Sequence, residues 1–185
     1  MDWARSCAGV IPCFNEAGSI AAVVSGVRRH LPAVIVVDDG STDATFDRAA
    51  AAGAEVLRHS VNRGKGAALR SGWQRARARG FAWALTLDGD GQHAPEDMER
   101  LVAPVGLYDM VIGARSATDQ TATRAFGNAL FKTLASWLTG REIPDLTSGF
   151  RAVKRSFMLE ILHLLPNGFS YPTTSCLAFL KAGHN

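Results

Sequence analysis

Short apolar runs alternate along this chain with longer segments in which apolar residues recur every three or four positions. The short runs predict buried strands, and the longer spacing predicts amphipathic helices. The predicted strands cover residues 8–12, 34–37, 55–58, 81–87 and 110–113. The predicted helices cover residues 17–31, 42–52, 67–79, 95–102, 124–138 and 156–165, and a loop at 168–174 precedes a last helical segment to residue 180.

Strands that alternate with helices across short connections predict an α/β fold, with a mostly parallel sheet and helices on both faces. A length of 185 residues indicates a single domain, residues 1–185. Polar groups follow three of the predicted strands: Asn15 and Glu16, the pair 38–39, and the pair Asp88 and Asp90. Because ligands bind beyond the carboxyl ends of parallel strands, we expect these groups to share one edge.

The two aspartates around Gly89 are candidate metal ligands. Asp88 and Asp90 offer carboxylate oxygens and Gln92 an amide oxygen, a set that suits Mg²⁺ or Mn²⁺. A plain Asp-Gly turn is the alternative. For residues 38 and 39 the alternative is that one of them caps the following helix. Glu16 could equally be a first-turn helix acid, and Asn15 is a candidate N-cap for the helix at 17–31.

The net charge is +3, and basic residues concentrate between residues 56 and 87, where no acidic residue occurs. Such a surface suits phosphates, an anionic membrane or nucleic acid, although a solvated helix face is the simpler explanation for any single arginine. Lys65 lies in a Gly-Lys-Gly turn where the backbone can approach a ligand, and Arg115 follows a predicted strand. A two-aspartate metal site beside such groups suits a diphosphate.

The three cysteines have no metal-ligand spacing, so a disulfide framework or a zinc site is not expected, and a reducing compartment is favoured. Cys13 lies near the proposed site, but nothing marks it as a nucleophile. The sequence shows no signal peptide and no run of about 18 apolar residues. We therefore expect a cytoplasmic protein.

Five segments occur in order that together resemble family 2 glycosyltransferases, specifically the dolichyl-phosphate mannose synthase-like branch. They are VIPCFNE (10–16), VVDDGSTD (36–43), NRGKG (62–66), LDGDGQH (87–93) and DLTSGFR (145–151). The resemblance covers residues 8 to about 180. It is specific at the level of the family and much less so about the sugar.

The resemblance implies a GT-A fold, a Rossmann-like sheet that binds a UDP- or GDP-sugar. It implies metal-dependent transfer of the sugar, with inversion, to a polyprenyl phosphate such as undecaprenyl or dolichyl phosphate. The donor-binding residues would be Pro12, Phe14, Glu16, Val37, Asp39, Lys65, Asp88, Gly89, Asp90 and Arg115. The metal ligands would be Asp88, Asp90 and Gln92, with Mg²⁺ or Mn²⁺ as the metal. The catalytic residues would be Asp90, Asp145 as a base or acceptor-orienting group, and Arg151 near the acceptor phosphate.

Phe14 stands where many relatives carry tyrosine, so a packing role survives but a hydroxyl contact does not. The helix at 124–138 could lie on the membrane surface, and packing on the domain's own core is the alternative. We expect a peripheral position on the cytoplasmic membrane face and no nucleic-acid partner.

Two other functions stay open on the sequence. The acceptor could be a soluble sugar or a protein. Relatives also continue with a basic segment that closes over the donor phosphates, whereas this chain ends at residue 185. The domain could therefore bind nucleotide without turnover. The segment Tyr171-Pro172-Thr173-Thr174 favours a lipid acceptor, because it looks like the acceptor side of undecaprenyl-phosphate transferases.

Overall fold

The computed structural model describes residues 3–93, 97–113, 145, 148–164, 166–168 and 171–184. Its strands are β1 (Cys7–Cys13), β2 (Val34–Asp38), β3 (Glu55–Arg58), β4 (Trp83–Thr86), β5 (Met110–Ile112) and β6 (Arg151–Lys154). Its helices are α1 (Trp3–Ser6), α2 (Ile20–Arg28), α3 (Thr45–Ala51), α4 (Lys65–Ala78), α5 (Met98–Val102), α6 (Arg155–Ile161) and α7 (Tyr171–Lys181). The predicted alternation of strands and helices is confirmed.

The six strands form one sheet in the order β3-β2-β1-β4-β6-β5. Strand β1 pairs in parallel with β2 and β4, and β2 pairs in parallel with β3. Strand β6 runs antiparallel to both of its neighbours, β4 and β5. The sheet is therefore mostly parallel, as predicted, and its antiparallel strand β6 is an element that the sequence analysis did not predict.

Two hydrophobic layers cover the sheet, one on each face. Alternate residues of a strand point to opposite faces, so Ile35 and Val37 of β2 pack with Trp73 of α4, while Val34 and Val36 belong to the layer with α2 and α5. All seven residues of β1 and all five of β2 are buried. This burial on both faces explains why these strands read as continuous apolar runs.

The prediction of Asn15 as the N-cap of α2 is wrong. Helix α2 begins at Ile20, and its N-cap is Ser19. Asn15 instead adopts a positive φ of 56°, and its Oδ1 accepts a hydrogen bond from the backbone N–H of Thr42 at 2.9 Å. The same bond keeps Thr42 in the loop, and α3 begins only at Thr45.

One difference from the prediction in the C-terminal part lies at the start of α7. Residues 168–174 were predicted as a loop, but Tyr171 already opens α7. The predicted helix at 124–138, the start of the one at 95–102 and Arg115 lie outside the described residues. Within the described part of the chain, no helix has the length and apolar character that crossing a bilayer requires.

Candidate functional site

A cavity of about 530 Å³ opens at the carboxyl edge of the parallel strands. It is lined by residues that follow β1, β2 and β4 together with the start of α4. They are Pro12, Cys13, Phe14, Glu16, Asp39, Asn62, Gly64, Lys65, Ala68, Asp88, Gly89 and Asp90. Eight of the ten predicted donor-binding residues are among them. The structure therefore brings these residues together at the edge where the sequence placed them, while their individual roles stay predictions.

Lys65 and Asp88 form an ion pair inside this cavity, with the Lys65 Nζ 2.6 Å from the Asp88 Oδ1. Their side chains are 23% and 26% exposed. Gly149 lies against the same carboxylate, because a Cβ built on Gly149 would lie 2.8 Å from Oδ1 and 2.9 Å from Oδ2 of Asp88. A residue without a side chain is thus required at position 149 for Asp88 to keep this position.

Asp90 and Gln92 lie on the exposed turn that follows Asp88. The Asp90 Oδ1 accepts a hydrogen bond from the backbone N–H of Gln92 at 2.9 Å, and Gly91 between them has a positive φ of 79°. Glycine adopts this left-handed backbone without a steric cost. The turn thus places a second carboxylate one residue beyond the buried Gly89.

The donor atoms present fit a small hard cation. Two carboxylates and an amide oxygen are the ligand types that Mg²⁺ and Mn²⁺ accept, and a set this small leaves positions for phosphate oxygens or water. Among the described residues, no group of three or more His, Cys, Asp or Glu side chains is assembled as a metal site. The role of Asp88, Asp90 and Gln92 as metal ligands stays a prediction.

Glu16 is tied to the Asp88–Asp90 turn through Ser19. The Ser19 hydroxyl lies 2.7 Å from the carbonyl oxygen of Gly89 and 3.1 Å from Oε2 of Glu16. The loop after β1 and the loop after β4 are thereby held side by side. Phe14 lies at the same cavity with 44% of its surface exposed, an apolar ring open to a ligand.

The adjacent carboxylates after β2 have different tasks. Asp38 is fully buried, accepts a hydrogen bond from the Ser41 N–H at 2.9 Å and lies 3.2 Å from the Nε of Arg58. It is therefore the structural member of the pair. Asp39 reaches the cavity and accepts hydrogen bonds from the backbone N–H groups of Arg63 and Gly64. The glycine-rich loop before α4 is thus anchored on Asp39.

His59 is a site residue that sequence reasoning missed. Its Nδ1 lies 2.5 Å from Oδ1 of Asp39, and its Nε2 lies 2.9 Å from the hydroxyl of Ser71. The three residues come from separate elements, 12 and 20 positions apart along the chain. No spacing signal in the sequence identifies such a contact.

Val37 and Arg115 are the two predicted donor-binding residues outside the cavity lining. Val37 is fully buried, and its side chain points toward α4, where a Cβ on Gly72 would lie 3.2 Å from it. A contact from Val37 to the donor would therefore have to come from its backbone. Arg115 lies outside the described residues.

Arg151, predicted near the acceptor phosphate, is fully buried. Its Nε donates to the Ser148 carbonyl at 2.7 Å, and its guanidinium also donates to the Pro172 carbonyl and the Ser175 hydroxyl. Burial lowers the pKa of the Arg151 guanidinium below its ordinary value. These contacts give Arg151 a structural task, joining β6 to the first turn of α7, and its role at the acceptor stays a prediction.

Asp145, the predicted base or acceptor-orienting group, is half-buried, and its Oδ1 accepts a hydrogen bond from the Ser148 N–H at 3.0 Å. Cys13 lines the cavity but is buried. That burial, reinforced by the nearby Asp38 and Glu16 carboxylates, raises the pKa of the Cys13 thiol to about 12. A neutral thiol is a poor nucleophile, which agrees with the sequence analysis.

Comparison with known proteins identifies the family. The model of glycosyl transferase family 2 matches residues 10–162. Glycosyltransferase AglJ of Haloferax volcanii is 34% identical over 93% of this chain and 57% of its own length. Polyprenol monophosphomannose synthase of Mycolicibacterium smegmatis is 32% identical over 82% of this chain and 63% of its own length. The chain thus spans about 60% of the length of these two relatives.

Among solved structures, the fold matches glucosyl-3-phosphoglycerate synthase from Mycobacterium tuberculosis in complex with Mn²⁺, UDP-glucose and phosphoglyceric acid. The TM-score is 0.76 at 24% identity, over 95% of this chain and 65% of that one. At this identity the likeness shows the fold alone, and it confirms the predicted GT-A architecture.

Proposed function

This chain belongs to glycosyl transferase family 2, and we propose that it transfers a sugar from a UDP- or GDP-sugar to a polyprenyl phosphate. The transfer depends on Mg²⁺ or Mn²⁺ and inverts the anomeric centre. The observation that carries this proposal is that one cavity is lined by Asp88 and Asp90 of the turn after β4, by Lys65 at the start of α4 and by Asp39 after β2. Asp88 and Asp90 suit the metal. Lys65 suits the diphosphate, and Asp39 suits the nucleoside of such a donor.

The diphosphate end of the donor is assigned to Asp88, Asp90, Gln92 and Lys65. The two carboxylates and the amide of Gln92 would hold the metal. When bound, the metal neutralises phosphate charge and stabilises the departing nucleoside diphosphate as a Lewis acid. Lys65 adds a positive charge at the same place, since its ammonium already lies beside Asp88. Lys65 is also the first residue of the 14-residue helix α4, whose N-terminal N–H groups favour anions.

The nucleoside end is assigned to Pro12, Phe14, Glu16 and Asp39. The exposed Phe14 ring offers an apolar face for the base or ribose. Asp39 is an acceptor fixed at the cavity, so it suits an N–H or O–H group of the nucleoside. Glu16 lies on the loop shared with Phe14 and is linked through Ser19 to the Gly89 carbonyl.

A lipid phosphate is the proposed acceptor because the relative from Mycolicibacterium smegmatis is named for transfer of mannose to a polyprenol phosphate. A phosphate is already an anion, so the acceptor needs no strong general base. Asp145 would then orient the acceptor rather than deprotonate it. Because a polyprenyl chain resides in a bilayer, the domain would work at a membrane surface.

The test is a transfer assay with UDP-glucose, UDP-N-acetylglucosamine and GDP-mannose in the presence of Mn²⁺. Each donor is offered a short-chain polyprenyl phosphate in detergent and, separately, 3-phosphoglyceric acid. We expect transfer to the polyprenyl phosphate from one donor, a product of inverted anomeric configuration by NMR, and no transfer by Asp88→Asn. Transfer to phosphoglyceric acid alone would establish a soluble acceptor. Donor binding without transfer to either would establish a binding domain without turnover.

A further inference from the structure

Three hydrogen-bonded side chains connect helix α4 to the cavity. The Ser71 hydroxyl contacts the Nε2 of His59 at 2.9 Å, and the Nδ1 of His59 contacts Oδ1 of Asp39 at 2.5 Å. The side chains of His59 and Asp39 are only 9% and 4% exposed. The contacts are thus largely shielded from competing water, which strengthens them.

The ring orientation of His59 follows from its partners. An ionised carboxylate accepts hydrogen bonds and donates none, so Nδ1 of His59 carries the proton that faces Asp39. In the neutral ring Nε2 is then an acceptor, and the Ser71 hydroxyl is its donor. Ser71 therefore holds the ring in the tautomer that Asp39 needs.

Asp39 is fixed by three donors on two oxygens. His59 and the Arg63 N–H contact Oδ1, and the Gly64 N–H contacts Oδ2 at 2.7 Å. Rotation of the carboxylate would break several of these bonds at once. All three donors lie on the loop between β3 and α4, with His59 at its start and Arg63 and Gly64 at its end, and the His59 side chain is also held by Ser71 of α4.

The order Ser-His-Asp also occurs in hydrolases, where the serine hydroxyl attacks a substrate. In this molecule the aspartate end of the hydrogen-bonded trio faces the cavity. Among the described residues that line the cavity, Asp39 is the member of the trio, and Ser71 lies six residues into α4. The arrangement therefore suits the positioning of a carboxylate rather than the activation of a hydroxyl.

We propose that His59 is a positioning residue for nucleobase recognition, which holds the Asp39 carboxylate toward an N–H group of the donor's base. This inference rests on the proposed function. A fixed carboxylate favours bases with an N–H at the pairing edge, namely N3–H of uracil or N1–H of guanine. Cytosine presents an unprotonated N3 at that position, and two acceptors repel each other. His59 should thus set a preference for UDP or GDP over CDP.

The experiment is calorimetric titration of UDP, GDP and CDP, each with Mn²⁺, into the wild type and four variants. His59→Ala removes the donor to Asp39. His59→Asn keeps an amide N–H close to the place of Nδ1, and Ser71→Ala removes only the hydroxyl that contacts Nε2 of His59. His30→Ala is the matched control, because His30 also faces an acid, with Nδ1 3.7 Å from Glu99, but lies outside the cavity lining among the described residues.

We expect His59→Ala to weaken binding of the preferred nucleotide about tenfold, as loss of one hydrogen bond to a charged group should, and to change CDP binding less than about twofold. His59→Asn should restore most of the lost affinity, Ser71→Ala should show a smaller loss, and His30→Ala should match the wild type. A melting temperature for each variant verifies that it is folded. If His59→Ala does not fold, the change in nucleotide preference is read from Ser71→Ala.

Two results would overturn this inference and leave the proposed function intact. In one, the wild type prefers UDP or GDP and folded His59→Ala keeps that preference. In the other, His59→Ala weakens all three nucleotides equally, which is the result of a general disturbance of the loop. Absence of nucleotide binding by the wild type would overturn the proposed function and this inference with it.

Discussion

Lys65 and Asp88 are joined by an ion pair of 2.6 Å between Nζ and Oδ1. One residue opens helix α4 and the other follows β4, so the fold brings a base and a proposed metal ligand to one point. Each charge compensates the other in the partly shielded cavity. A metal on Asp88 would take over this compensation, and the Lys65 charge would then be available to the donor phosphates.

Lys65→Met should weaken the binding of a nucleoside diphosphate about tenfold. A hydrogen bond to a charged group contributes about 1.5 to 3 kcal/mol, and the lower end applies here because the ammonium is partly exposed. The measurement is calorimetric titration with Mn²⁺. Arg77→Met is the control, since Arg77 is an exposed base on the same helix that does not line the cavity among the described residues. Equal weakening by both variants would show that only the overall charge matters.

Gly149→Ala should abolish metal-dependent nucleotide binding while the protein stays folded. The new Cβ would lie 2.8 Å from Oδ1 of Asp88, so the carboxylate would have to leave its position. Gly18→Ala is the control, because nothing lies within 4 Å of a Cβ at that glycine. Melting curves and Mn²⁺-dependent titrations of both variants provide the measurement. Unchanged metal dependence in Gly149→Ala would show that Asp88 is not a ligand.

Arg151→Met should lower the free energy of unfolding by about 3 kcal/mol. The substitution leaves the buried carbonyl of Ser148 without the Arg151 donor, at about 1 to 3 kcal/mol, and removes one of the two side-chain donors of the Pro172 carbonyl. Urea denaturation measures the loss, and Arg155→Met, at an exposed arginine that donates to the Gly80 carbonyl and takes no part in these contacts, should lose less than about 1 kcal/mol. A stable Arg151→Met that has lost only transfer to the acceptor would instead support the phosphate role predicted from the sequence.

Cys13 should react slowly with iodoacetamide at pH 8. Burial raises the pKa of its thiol to about 12, so the reactive thiolate is scarce at pH 8 and its fraction keeps increasing up to pH 10. The rate of modification at Cys13, followed by mass spectrometry of the peptide, should increase across that range without a plateau. Cys13→Ala should keep nucleotide binding. A rate that levels off below pH 9 would show an activated thiol and contradict the neutral state.

The sequence was most informative where a strand is buried on both faces and ends in a polar loop. Strands β1 and β2 read as continuous apolar runs because every residue in them is buried. Their order and parallel direction place residues 15–16, 38–39 and 88–90 at one edge, which is why a shared site at that edge could be predicted from the sequence. The alternative that one of the two adjacent aspartates caps the following helix is wrong, because Asp38 accepts from Ser41 in the loop before α3, and the N-cap of α3 is Ala44, without a side-chain cap.

The features that escaped prediction depend on contacts between distant parts of the chain. Strand β6 has only two apolar residues, Ala152 and Val153, and it is defined by pairing with β4 and β5. The buried hydrogen bonds of Arg151 escaped prediction because their acceptors on Pro172 and Ser175 lie 21 and 24 residues later in the chain. Asparagine favours N-cap positions, but the Asn15 side chain instead accepts a hydrogen bond from the Thr42 N–H.

Titration of UDP and GDP with Mn²⁺ and, separately, with EDTA tests whether the cavity binds a nucleoside diphosphate through a metal. It is made on the wild type, on Asp90→Asn and on the control Asp97→Asn, whose exposed carboxylate lies at the start of α5. We predict that one nucleotide binds at least about tenfold more tightly with Mn²⁺, because a metal held by these carboxylates would neutralise phosphate charge. Asp90→Asn should lose this gain and Asp97→Asn should keep it. Equal affinity with Mn²⁺ and EDTA, or no binding of either nucleotide by the wild type, would contradict the account.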